Sequence, residues 1–374
     1  MRNTIIDNMR GLCMLGVIGI HIGSLALAPN NFTLYLLLEI LSRYSVPSFF
    51  FISGYGLACT DKSLLTGGKL NFFDFMKKRL RGAGLPYLSW SLFYMLYFWL
   101  ILPPGFVSWN PLHVAFVLFF GLGCYHLYFM VILLWFYGTY PLWRKLLRII
   151  IHHNIPFMLV LLFIFQLLFN WWTTHPGLNT ASWSVLAKNF FDYRLNYLPL
   201  HYLLIFISGG LAAIYWDKFL ALLRKYSMLV SAAYIASIAY DVYSCYDAVH
   251  SKGYSLLDLA NTYHQLSPQG LFYTVGSILF FCLALDWLKR SAAQSLAYKA
   301  ISTLSAYSML IYFVHPLLLD WITSAYNYFG IIMTVKKVAF SYVLLVLASL
   351  AFSVLLTHLF ARCTTLKLLF TGKR

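Results

Sequence analysis

The feature that most constrains this chain is the recurrence of long uncharged runs from one end to the other. Apolar stretches lie near 8–27, 33–58, 84–102, 124–142, 155–172, 196–215, 227–244, 268–287, 303–324 and 336–360. A helix rising 1.5 Å per residue needs about 20 such residues to cross a hydrocarbon core about 30 Å thick. Away from water each backbone amide must be satisfied internally, which leaves helices or a closed barrel, and runs of this length fit helices. The expected fold is therefore all-α, a polytopic membrane helix bundle of about ten spans. Only 10% of the residues are charged and the mean hydropathy is +0.74, against about 25% charged in soluble domains. The segment 112–123 is too short to cross and is expected to be interfacial or re-entrant. Spans claim nearly the whole length, so one integral membrane domain over 1–374 is expected. The first run has no small-residue cleavage site and reads as a span, not a cleaved signal.

The net charge of +16 would suggest nucleic acid in a soluble chain. Here topology accounts for it. With the N-terminus inside, ten spans put 21 of the 27 Lys and Arg residues, Arg2 and Arg374 among them, on the cytoplasmic side. The outer side or outer span ends receive Arg43, Lys188, Arg194, Lys252, Lys336 and Lys337. This positive-inside bias predicts both termini in the cytoplasm and no nucleic-acid partner. The longest outer loops are the aromatic and polar stretches 170–183 and 245–265. Six cysteines stand singly, without disulfide or metal spacing, and no metal is expected.

Within the first span Arg10 and His21 are eleven residues apart. At about 100° per residue they fall within about 20° of one another around the helix and about 16 Å apart along it. Arg10 then sits at the cytoplasmic mouth and His21 near mid-membrane. A guanidinium suits phosphate. An imidazole moves protons near neutral pH. Ionisable groups inside spans are usually functional. His315 lies at about the same depth in a later span, next to Pro316, which frees the carbonyl of Tyr312. It serves either the loosened backbone or a reaction chamber. Glu39 and Arg43, four apart near the outer half of the second span, are spaced to pair. Asp241 and Asp320 stand near outer span ends, where they reach interfacial water.

The chain resembles the acyltransferase-3 family of integral membrane acyltransferases. That family's signature is an Arg, ten residues and a His in the first span, here Arg10 to His21. The stretches VPSFFFISGYGL (46–57), FMKKRLRGAGLPYL (75–88), YHLYFM (125–130) and YSMLIYFVHPLLL (307–319) follow in the family's order. Tyr128 stands where the family commonly has Trp, keeping an aromatic wall. The resemblance implies transfer of an acyl group from cytoplasmic acyl-CoA to an acceptor hydroxyl, often on a cell-surface sugar, in a bacterial cytoplasmic (inner) membrane. Coenzyme A carries several phosphates, so cations must gather on it. Arg10 and the loop residues Lys77, Lys78, Arg79 and Arg81 fall on its side, Arg10, Lys78, Arg79 and Arg81 being assigned to the donor. Ser53 and Tyr55, in the small-residue segment SGYG, are placed to face a pantetheine slot, although the glycines there serve helix packing first. His126, Tyr128, His315, Glu39 and Arg43 are assigned to the acceptor or chamber.

The expected reaction brings acyl-CoA, with acetyl or succinyl the favoured group, to a hydroxyl of a surface glycan or lipid-linked sugar. Two routes stand open: His21 as general base, or His21 as a transient acyl carrier. No serine or cysteine is placed with a base and an orienting acid, which disfavours a hydrolase triad. The rival from another class is an exporter of polysaccharide or lipid-linked sugar. It lacks the two-half repeat common in transporters.

Overall fold

The computed structural model describes residues 3–27, 30–175, 177, 180 and 182–373. Arg2 and Arg374 of the charge count lie outside them, as do Pro176, Leu178, Asn179 and Ala181 of the 170–183 stretch. In chain order the helices are α1 (Thr4–Gly23), α2 (Phe32–Leu38), α3 (Ser45–Thr60), α4 (Phe72–Arg79), α5 (Leu85–Ile101), α6 (Pro111–Phe120), α7 (Tyr128–Gly138), α8 (Tyr140–His152), α9 (Ile155–Thr174) and α10 (Val185–Asp192). There follow α11 (Arg194–Tyr197), α12 (Leu203–Ile214), α13 (Trp216–Lys225), α14 (Ser227–His250), α15 (Leu256–Thr262), α16 (Pro268–Ser291), α17 (Leu296–Tyr328), α18 (Val335–Ala361) and α19 (Thr364–Thr371). Among the described residues there is no strand. The all-α membrane reading holds.

Among the described residues eight helical segments are long and apolar enough to cross, or nine if one bent pair counts as a span. The sequence suggested ten. The run 124–142 contains a helix of only 11 residues, α7, about 16 Å long, because turns occupy 121–127 and Thr139 interrupts it. The run 196–215 belongs to the bent pair, Pro199–Ile214 and Trp216–Lys225, which meet at 102°. The segment 112–123 holds the 10-residue α6, too short to cross as expected.

The chain divides into two compact units. The first comprises Met1–Cys59 and Leu204–Leu355, the second Thr60–Leu203 and Leu356–Arg374.

In the first unit α1 and α17 pack side by side. A Cβ on Gly11 would run into the backbone of Ile301 and Ser305, so this glycine lets the two helices touch. Ser302 Oγ donates to Asn8 Oδ1 at 3.0 Å, and Ser305 Oγ donates to the carbonyl of Asp7. Helices α3 and α12 cross as closely: a Cβ on Gly54 would strike the carbonyl of Phe206, and one on Gly209 that of Phe51. At the end of α16 Asp286, 2% exposed, accepts a bidentate pair from Arg224 at 2.7 and 2.8 Å and a third bond from Arg290 at 3.0 Å. These bonds tie α13 down beyond its bend.

In the second unit the run from α4 to α5 continues through a wide π-type turn at Leu80–Gly84. The C-terminal α19 docks on α5, with Trp90 Nε1 donating to the carbonyl of Phe370 at 3.2 Å. The connection 61–68 is fixed by one buried arginine. Arg144 Nε donates to Asp61 Oδ2 at 2.6 Å, and its Nη2 to Ser63 O at 2.8 Å, Ser63 Oγ at 3.0 Å and Gly68 O at 2.8 Å.

Candidate active site

Helix α1 carries both signature residues. Asn3 caps it, accepting from the Ile5 N–H at 3.1 Å. The Asn3 amide donates to the Tyr55 hydroxyl at 2.7 Å, and the Tyr55 ring meets Trp216 edge-on at 5.2 Å. Tyr55 is thus buried and engaged at the mouth of the first unit, while Ser53 beside it is half-buried. The small-residue segment splits by face. Gly54 is consumed by the α12 crossing, and a Cβ on Gly56 would meet nothing within 4 Å.

Arg10 lies in the second turn of α1, its side chain 41% exposed, with Nη1 3.3 Å from the Asp7 carboxylate. Asp7 escaped the sequence reading. Its signal was present, an acid three residues before the arginine on one helical face.

Eleven residues on, the His21 ring stacks on the His315 ring with centroids 5.1 Å apart and planes 27° from parallel. The two are 294 positions apart in sequence, the same separation as Asn8 and Ser302. Helices α1 and α17 therefore run parallel and in step from the mouth to the histidines, so the mouth contacts also hold this stack in place.

His315 is wholly buried. Its Nδ1 lies 3.0 Å from the carbonyl of Ile311. A carbonyl only accepts, so Nδ1 carries the proton and Nε2 carries the lone pair. The sequence left His315 two roles, serving the loosened backbone or serving the chamber. Here one ring does both: it binds the backbone one residue before Tyr312 and faces His21.

Elsewhere in the first unit Glu39 and Arg43 pair at 2.8 Å, both buried. Arg43 Nη1 also donates to the carbonyls of Ala260 at 3.2 Å and Tyr263. The pair thus anchors α15 to the segment after α2, a positioning role. Asp241 does not reach interfacial water as expected: it is 3% exposed, turned into the bundle.

In the second unit His126 is buried and lies edge-on to Tyr94 at 5.5 Å. Tyr128 opens α7, and its backbone presses on Gly121, where a Cβ would come 2.7 Å from the Tyr128 Cα. Gly121 has φ of +71° and ends α6 in the left-handed region, so both the turn and the close approach require glycine.

The cations of the 77–81 run separate. Lys78 is exposed. Arg79 donates from Nη2 to Thr60 Oγ1 at 2.9 Å and lies over the rings of Phe75 and Tyr137 at 5.3 and 5.7 Å. Its buried Nε has no hydrogen-bond partner among the described residues. Arg81 instead borders an apolar groove. Among the described residues no group of three or more His, Cys, Asp or Glu is placed to hold a metal ion.

A family model described as an acyltransferase domain matches residues 3–358. No curated protein and no solved structure matches the chain.

Proposed function

The chain belongs to this acyltransferase family and is a multi-pass membrane acyltransferase; on that premise we propose that it moves an acyl group, acetyl or succinyl, from acyl-CoA to a hydroxyl of a surface glycan or lipid-linked sugar in a bacterial inner membrane. The observation that carries this reading is the His21–His315 stack inside the first unit, on the same helix as Arg10. It sets two imidazole rings face to face inside the first unit, and on His315 the lone pair is on Nε2.

In this reading His21 takes the proton from the acceptor hydroxyl as its oxygen attacks the thioester carbonyl. The carbon–sulfur bond then breaks, and the proton passes from His21 to the departing CoA sulfur. General-base help of this kind is worth about 10²–10⁴-fold. Positioning in a water-poor chamber supplies more. His315, its Nδ1–H held by Ile311, fixes the face that His21 presents. A route through acyl-His21 uses the same two rings. Arg10, with only Asp7 as counter-charge among the described residues, serves a donor phosphate. In the second unit Lys78 is exposed and Arg79 is braced by Phe75, Tyr137 and Thr60.

The test is acetyl-CoA binding and CoA release measured on the same purified preparations. His21→Ala should still bind acetyl-CoA and lose turnover. A wild-type protein that binds no acyl-CoA of any chain length, under conditions where it remains folded, would refute the reading.

A further inference from the structure

The second unit carries a groove whose apolar walls the acyl-transfer reading does not use. It runs along one face of α4, the π-type turn and α5, where Phe73, Met76, Lys77, Leu80, Arg81, Gly84 and Leu88 line it. These positions recur at the i, i+3, i+4, i+7 spacing of a single helical stripe. Ala115, Leu118 and Phe119 of α6 and Leu134 of α7 close the other side. The cavity measures about 850 Å³, within the range of about 300–1,000 Å³ usual for small-molecule sites.

Its lining has two parts of opposite character. The walls are apolar, and Phe73 and Leu88 are 78% and 42% exposed, so the groove opens outward. Tyr87 is the one wall residue with a hydroxyl, and that hydroxyl donates to the carbonyl of Leu118. The walls therefore offer nothing to the amides of pantetheine or to a sugar, whose polar groups would lose their water partners without replacement.

The charged part is Lys77 and Arg81, one helical turn apart. Like charges at that spacing repel. Neither has an ion-pair partner among the described residues. The nearby Asp74 takes the Asn71 amide at 2.7 Å instead. Two cations without an ion-pair partner among the described residues, beside a trough whose apolar walls offer no spare hydrogen bond, call for an anion attached to a hydrocarbon chain.

We propose that this groove is a binding site for an anionic glycerophospholipid, its phosphate between Lys77 and Arg81 and an acyl chain along Leu80, Leu88, Ala115 and Leu118. Native mass spectrometry of the purified full chain tests it, with phosphatidylglycerol and phosphatidylcholine of identical chains offered at equal concentration. The wild type should retain phosphatidylglycerol in preference. Lys77→Gln, an exposed position whose change leaves the fold intact, should cut that preference about fivefold, one surface cation's share of attraction to an anionic lipid. Ala115→Phe, also at an exposed position, fills the trough and should lower retention of both lipids. Equal retention of the two lipids by the wild type would overturn the proposal, as would an unchanged preference in Lys77→Gln. Displacement of the lipid by saturating acetyl-CoA would give the groove to the donor and also overturn it.

Discussion

Replacing Arg10 by lysine separates the two things this residue does. Among the described residues its only ion pair is with Asp7, at 3.3 Å and with the arginine side chain 41% exposed. An exposed pair at i,i+3 contributes about 0.3–0.5 kcal/mol, and lysine retains part of it. The thermal midpoint of Arg10→Lys should therefore match the wild type closely. Donor binding should not. A guanidinium grips phosphate with two parallel bonds that an ammonium cannot reproduce. Losing one charge-assisted contact costs about 1.5–3 kcal/mol, roughly 10- to 150-fold in affinity. Calorimetry of acetyl-CoA binding, beside a thermal melt of the same preparation, reads both quantities. The expected kinetic signature is a raised apparent KM for acyl-CoA with the acceptor KM little changed. Normal donor affinity in Arg10→Lys, together with altered membrane orientation, would make the arginine a topology anchor and refute the phosphate assignment.

Arg144→Met should strip the Asp61 carboxylate, whose side chain is 3% exposed, of its cation. Removing one partner of a buried pair costs about 3–5 kcal/mol, so the thermal midpoint should fall clearly. Asp61→Leu added to Arg144→Met should recover much of the loss, and no recovery would mean that Arg144 acts chiefly through Ser63 and Gly68. In a cysteine-free background, a single cysteine at position 70 should be shielded from an impermeant outside reagent and one at position 180 should react; the opposite pattern would invert the orientation read from the lysine and arginine count. Gly121→Ala should destabilise the turn between α6 and α7, because a Cβ there would lie 2.7 Å from the Tyr128 backbone at a φ of +71°; a variant with an unchanged thermal midpoint would show that the turn relaxes freely.

Much of this architecture was written in local pattern. Hydrophobic runs declare membrane helices because the bilayer forces each backbone group to find its partner within the helix. Arg10 and His21 were readable for the same reason: charge and imidazole stand out against such a background. What hydropathy does not register is direction. It sees 196–215 as one run and is blind to the 102° bend beyond it. It also cannot see that residues 121–127 are turns, which shorten the run at 124–142. Long-range partners were equally hidden. Arg144 looks like any cytoplasmic cation until Asp61, 83 positions earlier, is seen against it. Likewise the depth of His315 was legible, but not the ring contact that pairs it with His21. That contact depends on Gly11, Asn8 and Ser302 holding two helices in step.

The central claim is that acyl transfer takes place at His21. It is tested most directly by the O-acyl content of the surface glycan in cells whose sole copy of the protein carries His21→Ala at wild-type membrane abundance. The account predicts loss of the acyl group while purified His21→Ala still binds acetyl-CoA. Near-normal acylation in that strain would remove His21 from the chemistry and contradict the account.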